Sequence, residues 1–136
     1  MKLRAEDAED LKVLAACLQD AILPVAEIGY LPDEHCFVMV VNRFKWESAG
    51  AGGAGERTNS AVTITGVRAV RRRKLDLCDR SLVLDLLTLL PNEDGLDLVF
   101  AGGSAIHLTA PHWGCLLEDI GEPWPAAATP HHEVGS

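Results

Sequence analysis

The segment LDLVFAGGSAIHLTA, residues 96–110, carries the clearest structural signal in this chain of 136 residues. Apolar side chains occupy every second position on both sides of the pair Gly102-Gly103. They are Leu96, Leu98 and Phe100 before the glycines and Ile106 and Leu108 after them. Such alternation is typical of half-buried β-strands, and paired glycines suit a tight turn. The segment therefore predicts a β-hairpin.

Extended segments continue towards the N-terminus. Residues 81–90 (SLVLDLLTLL) are predicted to form a strand, because a turn sequence closes them and the hairpin follows. Residues 59–74 are rich in β-branched side chains, with a bulge or sharp bend expected at Gly66. Residues 26–31 are predicted to pair with residues 36–46 across a turn that begins with proline. About seven short strands are expected in all.

Two helices are predicted to flank these strands. Residues 5–22 place leucines at spacings of three and four, and Pro24 is expected to end that helix. Residues 111–121 carry a similar stripe, formed by Trp113, Leu116, Leu117 and Ile120. The predicted fold is α+β, with an N-terminal helix, a bent antiparallel sheet or barrel and a C-terminal helix. This order is typical of pleckstrin-homology-like barrels.

Length and composition indicate one folded domain. Hydrophobic residues make up 48% of the chain and charged residues 24%, which is ordinary for a globular protein. We expect one α+β domain over residues 1–122 and an extended, flexible tail over residues 123–136, which is interrupted by prolines. The glycine-rich residues 48–56 are predicted to form a surface loop.

The cytoplasm is the expected location. The longest apolar runs fall far short of the roughly 20 residues that span a bilayer, and residues 1–12 lack the apolar core of a signal peptide. Cysteines occur singly, among apolar or small neighbours, as is usual for thiols that pack as small hydrophobic groups in a reducing compartment. These cysteines are Cys17, Cys36, Cys78 and Cys115.

The positive charge is unevenly distributed in a chain whose formal net charge is -8 and whose pI is near 5.0. Six of its twelve basic residues fall within residues 68–80. The overall acidity argues against broad affinity for nucleic acid, which depends on neutralising phosphates. The clustering nevertheless makes this run a candidate binding surface. Its candidate residues are Arg68, Arg71, Arg72, Arg73, Lys74 and, from another strand, Arg43.

Alternation along a strand decides where these side chains can lie. Arg71 and Arg73 must face one side of the sheet, and Arg72 and Lys74 the other. Because a buried face cannot accept unpaired guanidinium groups, the run is predicted to lie at a sheet edge. Two uses remain open. The favoured one is pairing with acidic side chains of the same chain, and the other is docking of an anion.

The sequence predicts no catalytic residue, no metal ligand and no cofactor. Gly50, Gly52 and Gly55 match the spacing of a dinucleotide-binding loop, but the residues after them are β-branched instead of helical. His107, His112 and Cys115 lack the paired spacing of a zinc site.

The function expected from these features is that of a non-catalytic cytoplasmic binding or adaptor module that uses a basic sheet edge. Its partner is expected to be another protein or an anionic ligand, with neither specific nucleic-acid binding nor membrane insertion. The oligomeric state is left open. The alternatives are RNA association, or a small enzyme with a pocket between the C-terminal helix and the sheet, where His107, His112 and Glu118 would serve as acid–base groups.

Several blocks of the sequence resemble one family. In chain order they are LRAEDAEDLKVLAACLQDAI (3–22), NRFKWE (42–47), VRAVRRR (67–73), LVFAGGSAIHL (98–108) and LEDIGEPW (117–124). They are similar to the domain-of-unknown-function family numbered 2948, which is found mainly in alphaproteobacteria. The resemblance implies a small bacterial cytoplasmic protein. It implies no activity and no site residues.

Overall fold

The computed structural model describes residues 1–46 and 55–125, which form one α-helix and a sheet of ten strands. In chain order the elements are β1 (Lys2–Ala5), α1 (Ala8–Leu18), β2 (Ala21–Pro24), β3 (Ile28–Leu31), β4 (Cys36–Phe44), β5 (Glu56–Thr65), β6 (Ala69–Arg73), β7 (Val83–Asn92), β8 (Gly95–Phe100), β9 (Ala105–Thr109) and β10 (Gly114–Pro125). The predicted glycine loop falls mainly on residues 47–54, outside the described residues. The strand β10 extends three residues past the expected domain boundary at residue 122. The rest of the predicted tail, residues 126–136, also lies outside the described residues.

All strand pairs are antiparallel, in the order β1-β10-β5-β4-β2-β7-β8-β9-β6. Strand β4 has β5 along one side, and β3 and β2 along the other. The first and the tenth strands are therefore neighbours, whereas β5 and β6, which follow one another in the chain, are separated in the strand order by five other strands. The sheet is open and ends at β1 and β6.

The predicted hairpins are confirmed. Residues 96–110 form β8 and β9, and the turn between them holds Gly102 and Gly103 at φ +86° and +87°, the left-handed region that glycine adopts without strain. Strand β3 pairs with the start of β4 around a short 3₁₀ turn. Gly66, at φ +77°, turns the chain out of β5, where a bend was expected.

The predicted C-terminal helix is wrong. Most of residues 111–121 belong to β10, which lies between β1 and β5. Cys115 and Leu117 point into the core at alternate positions, while Leu116 is only half-buried and Ile120 is exposed. The apolar residues of this short run match both the helical and the strand period. Pairing with two neighbouring strands decides between them, because it satisfies the backbone of β10 on both sides.

The predicted barrel, with its pleckstrin-homology-like architecture and seven strands, is also wrong. The sheet has ten strands and two open ends. Two of the additional strands, β1 and β2, flank the helix, because α1 covers only Ala8–Leu18 and both ends of the predicted helix, at residues 5 and 21–22, are extended. Asp7 caps the helix, and its Oδ1 accepts a hydrogen bond from the Asp10 backbone N–H at 2.8 Å. Asp20, at φ +63°, reverses the chain into β2, so Pro24 ends a strand instead of the helix.

The core lies between one face of the sheet and α1. The helix buries Leu11, Leu14, Ala15 and Leu18 and packs against β1, β4 and β7. Apolar side chains from most strands complete this core. No helix within residues 1–46 and 55–125 is long and apolar enough to cross a membrane.

Candidate functional site

Strand β6 is one end of the sheet, and β9 runs along one side of it. The register pairs Arg71 with His107, Arg72 with Ile106 and Arg73 with Ala105. The basic run thus lies at an edge, as the sequence predicted. We call Arg68, Arg71, Arg72, Arg73 and Lys74 the basic edge; all five side chains are exposed.

The two faces of β6 differ as the alternation requires. Paired residues of antiparallel strands project to the same face. Arg71 and Arg73 therefore share the outer face with their β9 partners. Arg72 projects to the inner side together with Ile106, but it is exposed because the core ends there. Lys74, at φ +53°, ends the strand in the left-handed region.

A groove of about 480 Å³ lies along the outer face of β6, β9 and β8. Its walls combine the three arginines with small and polar side chains. It is lined by Arg71, Arg72, Arg73, Asp97, Val99, Gly103, Ser104, Ala105 and His107.

The cations of the basic edge lack an acidic partner within residues 1–46 and 55–125. Among the described residues, none of the five side chains forms a salt bridge or a hydrogen bond with another side chain. The nearby Arg80 differs, because its Nη2 donates to the Ala26 carbonyl at 2.8 Å. The favoured expectation, pairing within the chain, is therefore wrong for this surface in the part of the chain that the structure describes.

The groove lining that contains these arginines also contains the carboxylate of Asp97, which contacts His107. The Nδ1 of His107 lies 2.6 Å from Asp97 Oδ1, and its Nε2 lies 3.1 Å from Asp94 Oδ1. Asn92 Nδ2 is 3.3 Å from the same Nδ1. The Asp97 carboxylate contacts this imidazole, and within residues 1–46 and 55–125 it forms no salt bridge with Arg71 or Arg73.

The contact of His107 with Asp97 and Asp94 was not predicted from the sequence, although the hairpin pattern indicates part of it. A hairpin that turns at Gly102-Gly103 places Asp97 directly opposite His107, as the structure shows. The pair lies between Leu96↔Leu108 and Leu98↔Ile106 of the predicted hairpin, so reading its register residue by residue would have found the contact. The second carboxylate, from Asp94, lies in the turn before β8 and could not be placed in this way.

Arg43 does not belong to the basic edge. It follows Phe37, Met39 and Val41 at alternate positions of β4 and is fully buried with them. The start of β4 lies near β6, since the Val67 backbone N–H donates to the His35 carbonyl at 2.8 Å. Arg43 lies seven residues further along β4, about 24 Å away in an extended strand.

The Arg43 guanidinium instead forms a buried ion pair with Asp119 of β10. Nε and Nη2 donate to Oδ1 and Oδ2 at 2.9 and 2.8 Å. The Ser60 hydroxyl, on β5 between them, donates to Oδ1 at 2.6 Å, and the Met1 amino group lies 3.4 Å from Oδ2. Burial alone would raise the pKa of the Asp119 carboxyl. The hydrogen bonds from Arg43 and Ser60 and the nearby positive charges outweigh it and lower that pKa to about 2.

The groups named for an enzyme are not brought together. His107 lines the groove at β9, His112 is exposed in the turn before β10, and Glu118 pairs with Lys2 at the β1 end of the sheet. The pocket expected beside a C-terminal helix is not formed, since that segment is β10.

Comparison with known proteins confirms the family resemblance. A family model described as "Protein of unknown function (DUF2948)" matches residues 1–132. No curated protein and no solved structure matches the chain.

Proposed function

We propose that this chain, which belongs to the DUF2948 family, is a non-catalytic binding or adaptor module that holds an acidic partner protein at its basic edge. The partner's carboxylates would pair with the exposed guanidinium groups of β6. The proposal concerns a bacterial protein working in the cytoplasm.

The observation that carries this proposal is the unpaired state of the basic edge. The whole chain has a net charge of -8, so its surface as a whole repels anions. Arg71, Arg72 and Arg73 nevertheless project from one short strand without an acidic partner among the described residues. Guanidinium groups bind carboxylates through two parallel hydrogen bonds, which gives both attraction and geometry.

The rigidity of the scaffold gives the proposal further support. The backbone of β6 pairs with β9 over all five residues, and β9 is itself fixed by β8. The arginine positions are thus set by a sheet instead of a loop. A cluster that is ordered before binding loses less conformational freedom on binding.

The state of the cysteines supports a reducing compartment. Cys17, Cys36, Cys78 and Cys115 are all free thiols. Burial raises the pKa of the Cys115 thiol to about 12, so this side chain behaves as an apolar core group. Bacterial origin rests on the family resemblance of the sequence blocks.

The test is charge reversal at the edge with a matched control. We would compare the wild type, the variant Arg71→Glu with Arg73→Glu, and the control Arg4→Glu with Lys12→Glu. The control makes the same change in net charge at exposed positions of β1 and α1. The free energies of unfolding of the three proteins should agree within about 0.5 kcal/mol, since the substituted side chains are exposed.

Each tagged protein would be crosslinked and purified from its native host. We expect one or more acidic proteins to be retained by the wild type and the control and lost by the Arg71/Arg73 variant. Identical sets from all three would overturn the proposal and leave the arginines as protection of an exposed sheet edge. If nucleic acid is retained through the same arginines and released by salt, the proposed binding of an acidic protein is wrong and RNA association takes its place.

A further inference from the structure

We infer that the acidic partner binds as an added β-strand, with an extended segment paired along the free side of β6 and carboxylates at alternate positions. This inference rests on the proposed function and specifies the form of its ligand. It is drawn from the backbone of β6 as well as from its charges.

The backbone of β6 offers unpaired hydrogen-bonding groups. Within the described residues, β9 is the one strand that pairs with it. Alternate residues of an edge strand direct their N–H and C=O groups away from the sheet, and these groups form a template for another strand. Strand addition of this kind is an established way for a sheet to bind an extended peptide.

The ends of the template are defined. Before β6, the Val67 backbone N–H is already used by the His35 carbonyl at 2.8 Å, whereas the Arg68 N–H donates to Thr109 of β9 on the side that is already paired. After it, Lys74 leaves the strand conformation at φ +53°. The free length is therefore the five residues Ala69–Arg73, about 17 Å of extended chain.

The side chains of β6 select which strand can bind. Arg71 and Arg73 lie on one face, about 7 Å apart along the strand. A residue directly opposite in an added strand places its Cβ about 5 Å away, so acidic residues two positions apart would each face one arginine. Neutral and basic strands would leave the guanidinium groups unpaired or repelled. The charges thus block general edge pairing and admit an acidic strand.

The test uses a fluorescent peptide of about seven residues in which glutamate alternates with valine, a length that spans β6. Two N-methylated versions each lack the backbone N–H on one alternate set of residues. A lysine-for-glutamate peptide controls for charge. Each peptide would be titrated with the wild type, the Arg71/Arg73→Glu variant and the Arg4/Lys12→Glu control.

If the peptide binds as a strand added to β6, its affinity should depend on which alternate set of residues is N-methylated. One N-methylated peptide should bind at least tenfold more weakly than the parent, because its blocked N–H groups face β6. The other should bind as the parent does, since its blocked groups point to solvent. The parent should lose at least tenfold affinity for the Arg71/Arg73 variant and none for the control, and the lysine peptide should not bind.

Other results separate this inference from the proposed function. If both N-methylated peptides bind as tightly as the parent, the arginines hold carboxylates without strand pairing; the inference fails and the proposed function stands. The same holds if the parent does not bind but capture from the host still depends on Arg71 and Arg73. If the parent does not bind and capture is also independent of both arginines, both fail.

Discussion

Arg43 was predicted to lie in the right strand but was assigned to the wrong surface, the basic edge. Its alternation with Phe37, Met39 and Val41 was visible in the sequence and indicates an inward side chain. A positive charge was expected to avoid that face, because burying it is costly without a partner. The partner is Asp119, 76 positions away, which no local pattern links to β4.

Removing the partner of Arg43 should destabilise the protein strongly. We expect Asp119→Asn to lower the free energy of unfolding by about 3–5 kcal/mol, because it removes the carboxylate charge that pairs with the buried Arg43 guanidinium. Chemical denaturation monitored by tryptophan fluorescence would measure this change.

The neighbouring residue supplies the control. Glu118 pairs with Lys2 at 3.9 Å, and both side chains are about half exposed, so Glu118→Gln should cost less than about 1 kcal/mol. If the two variants lose equal stability, then the buried pair contributes no more than a surface pair.

At the scale of single elements, the sequence predicted strands well where turns fixed their limits. The glycine pair between β8 and β9 and the proline turn before β4 define hairpins from local chemistry alone. Residues 111–121 lack such a limit, and their apolar spacing fits a helix as well as a strand. The choice was made by contacts with β1 and β5, which are distant in sequence.

The close approach of the β8 and β9 backbones at Gly95 depends on the absence of a side chain at this residue. A Cβ at this position would lie 1.8 Å from the Leu108 carbonyl oxygen and 2.7 Å from the Ala110 nitrogen. We therefore expect Gly95→Ala to force the two strands apart and to lower the free energy of unfolding by about 3 kcal/mol. Thermal and urea unfolding would measure the loss.

Gly29 is the matched glycine for this substitution. It also lies in a strand, and a Cβ there would approach the Val38 Cγ2 methyl to 3.2 Å, a side-chain contact that can adjust. Gly29→Ala should change stability by less than about 1 kcal/mol. Equal effects of the two substitutions would contradict the close approach of backbone at Gly95.

At the scale of the whole molecule, the order of strands could not be read from the sequence. Local patterns indicate which segments are extended, but they do not say which segments become neighbours. The pairing of β10 with β1 and β5, and the separation of β5 from β6 in the strand order, follow from long-range packing. Among the residues that the structure describes, this packing also leaves the basic edge without the acidic partners that composition alone had suggested.

The pH dependence of the free energy of unfolding should reflect the buried ion pair between Arg43 and Asp119. The pKa of Asp119 is about 2 in the folded protein, against an ordinary value of 3.8. A carboxyl whose pKa is lowered by folding stabilises the protein above its unfolded pKa, and this contribution disappears as the pH falls through the folded value. We therefore expect the stability difference between wild type and Asp119→Asn to be largest above about pH 4 and to shrink towards pH 2.

Urea unfolding of both proteins at a series of pH values would measure this convergence. Glu118→Gln should stay close to the wild type throughout the series. A difference between wild type and Asp119→Asn that is constant from neutral pH to pH 2 would show that the carboxylate charge is not what stabilises Arg43.

The position of β10 also has a consequence for how the protein is made. On the ribosome, Lys2–Ala5 emerge before the other described strands, yet their only strand partner among the described residues is β10, which emerges more than a hundred residues later. Until then the edges of β1 and β5 remain open, and the nascent chain exposes surfaces on which aggregation begins. Contacts of such long sequence separation also slow folding. The chain is therefore expected to reach its native state only after translation has passed Pro125, and to depend on chaperones before that point.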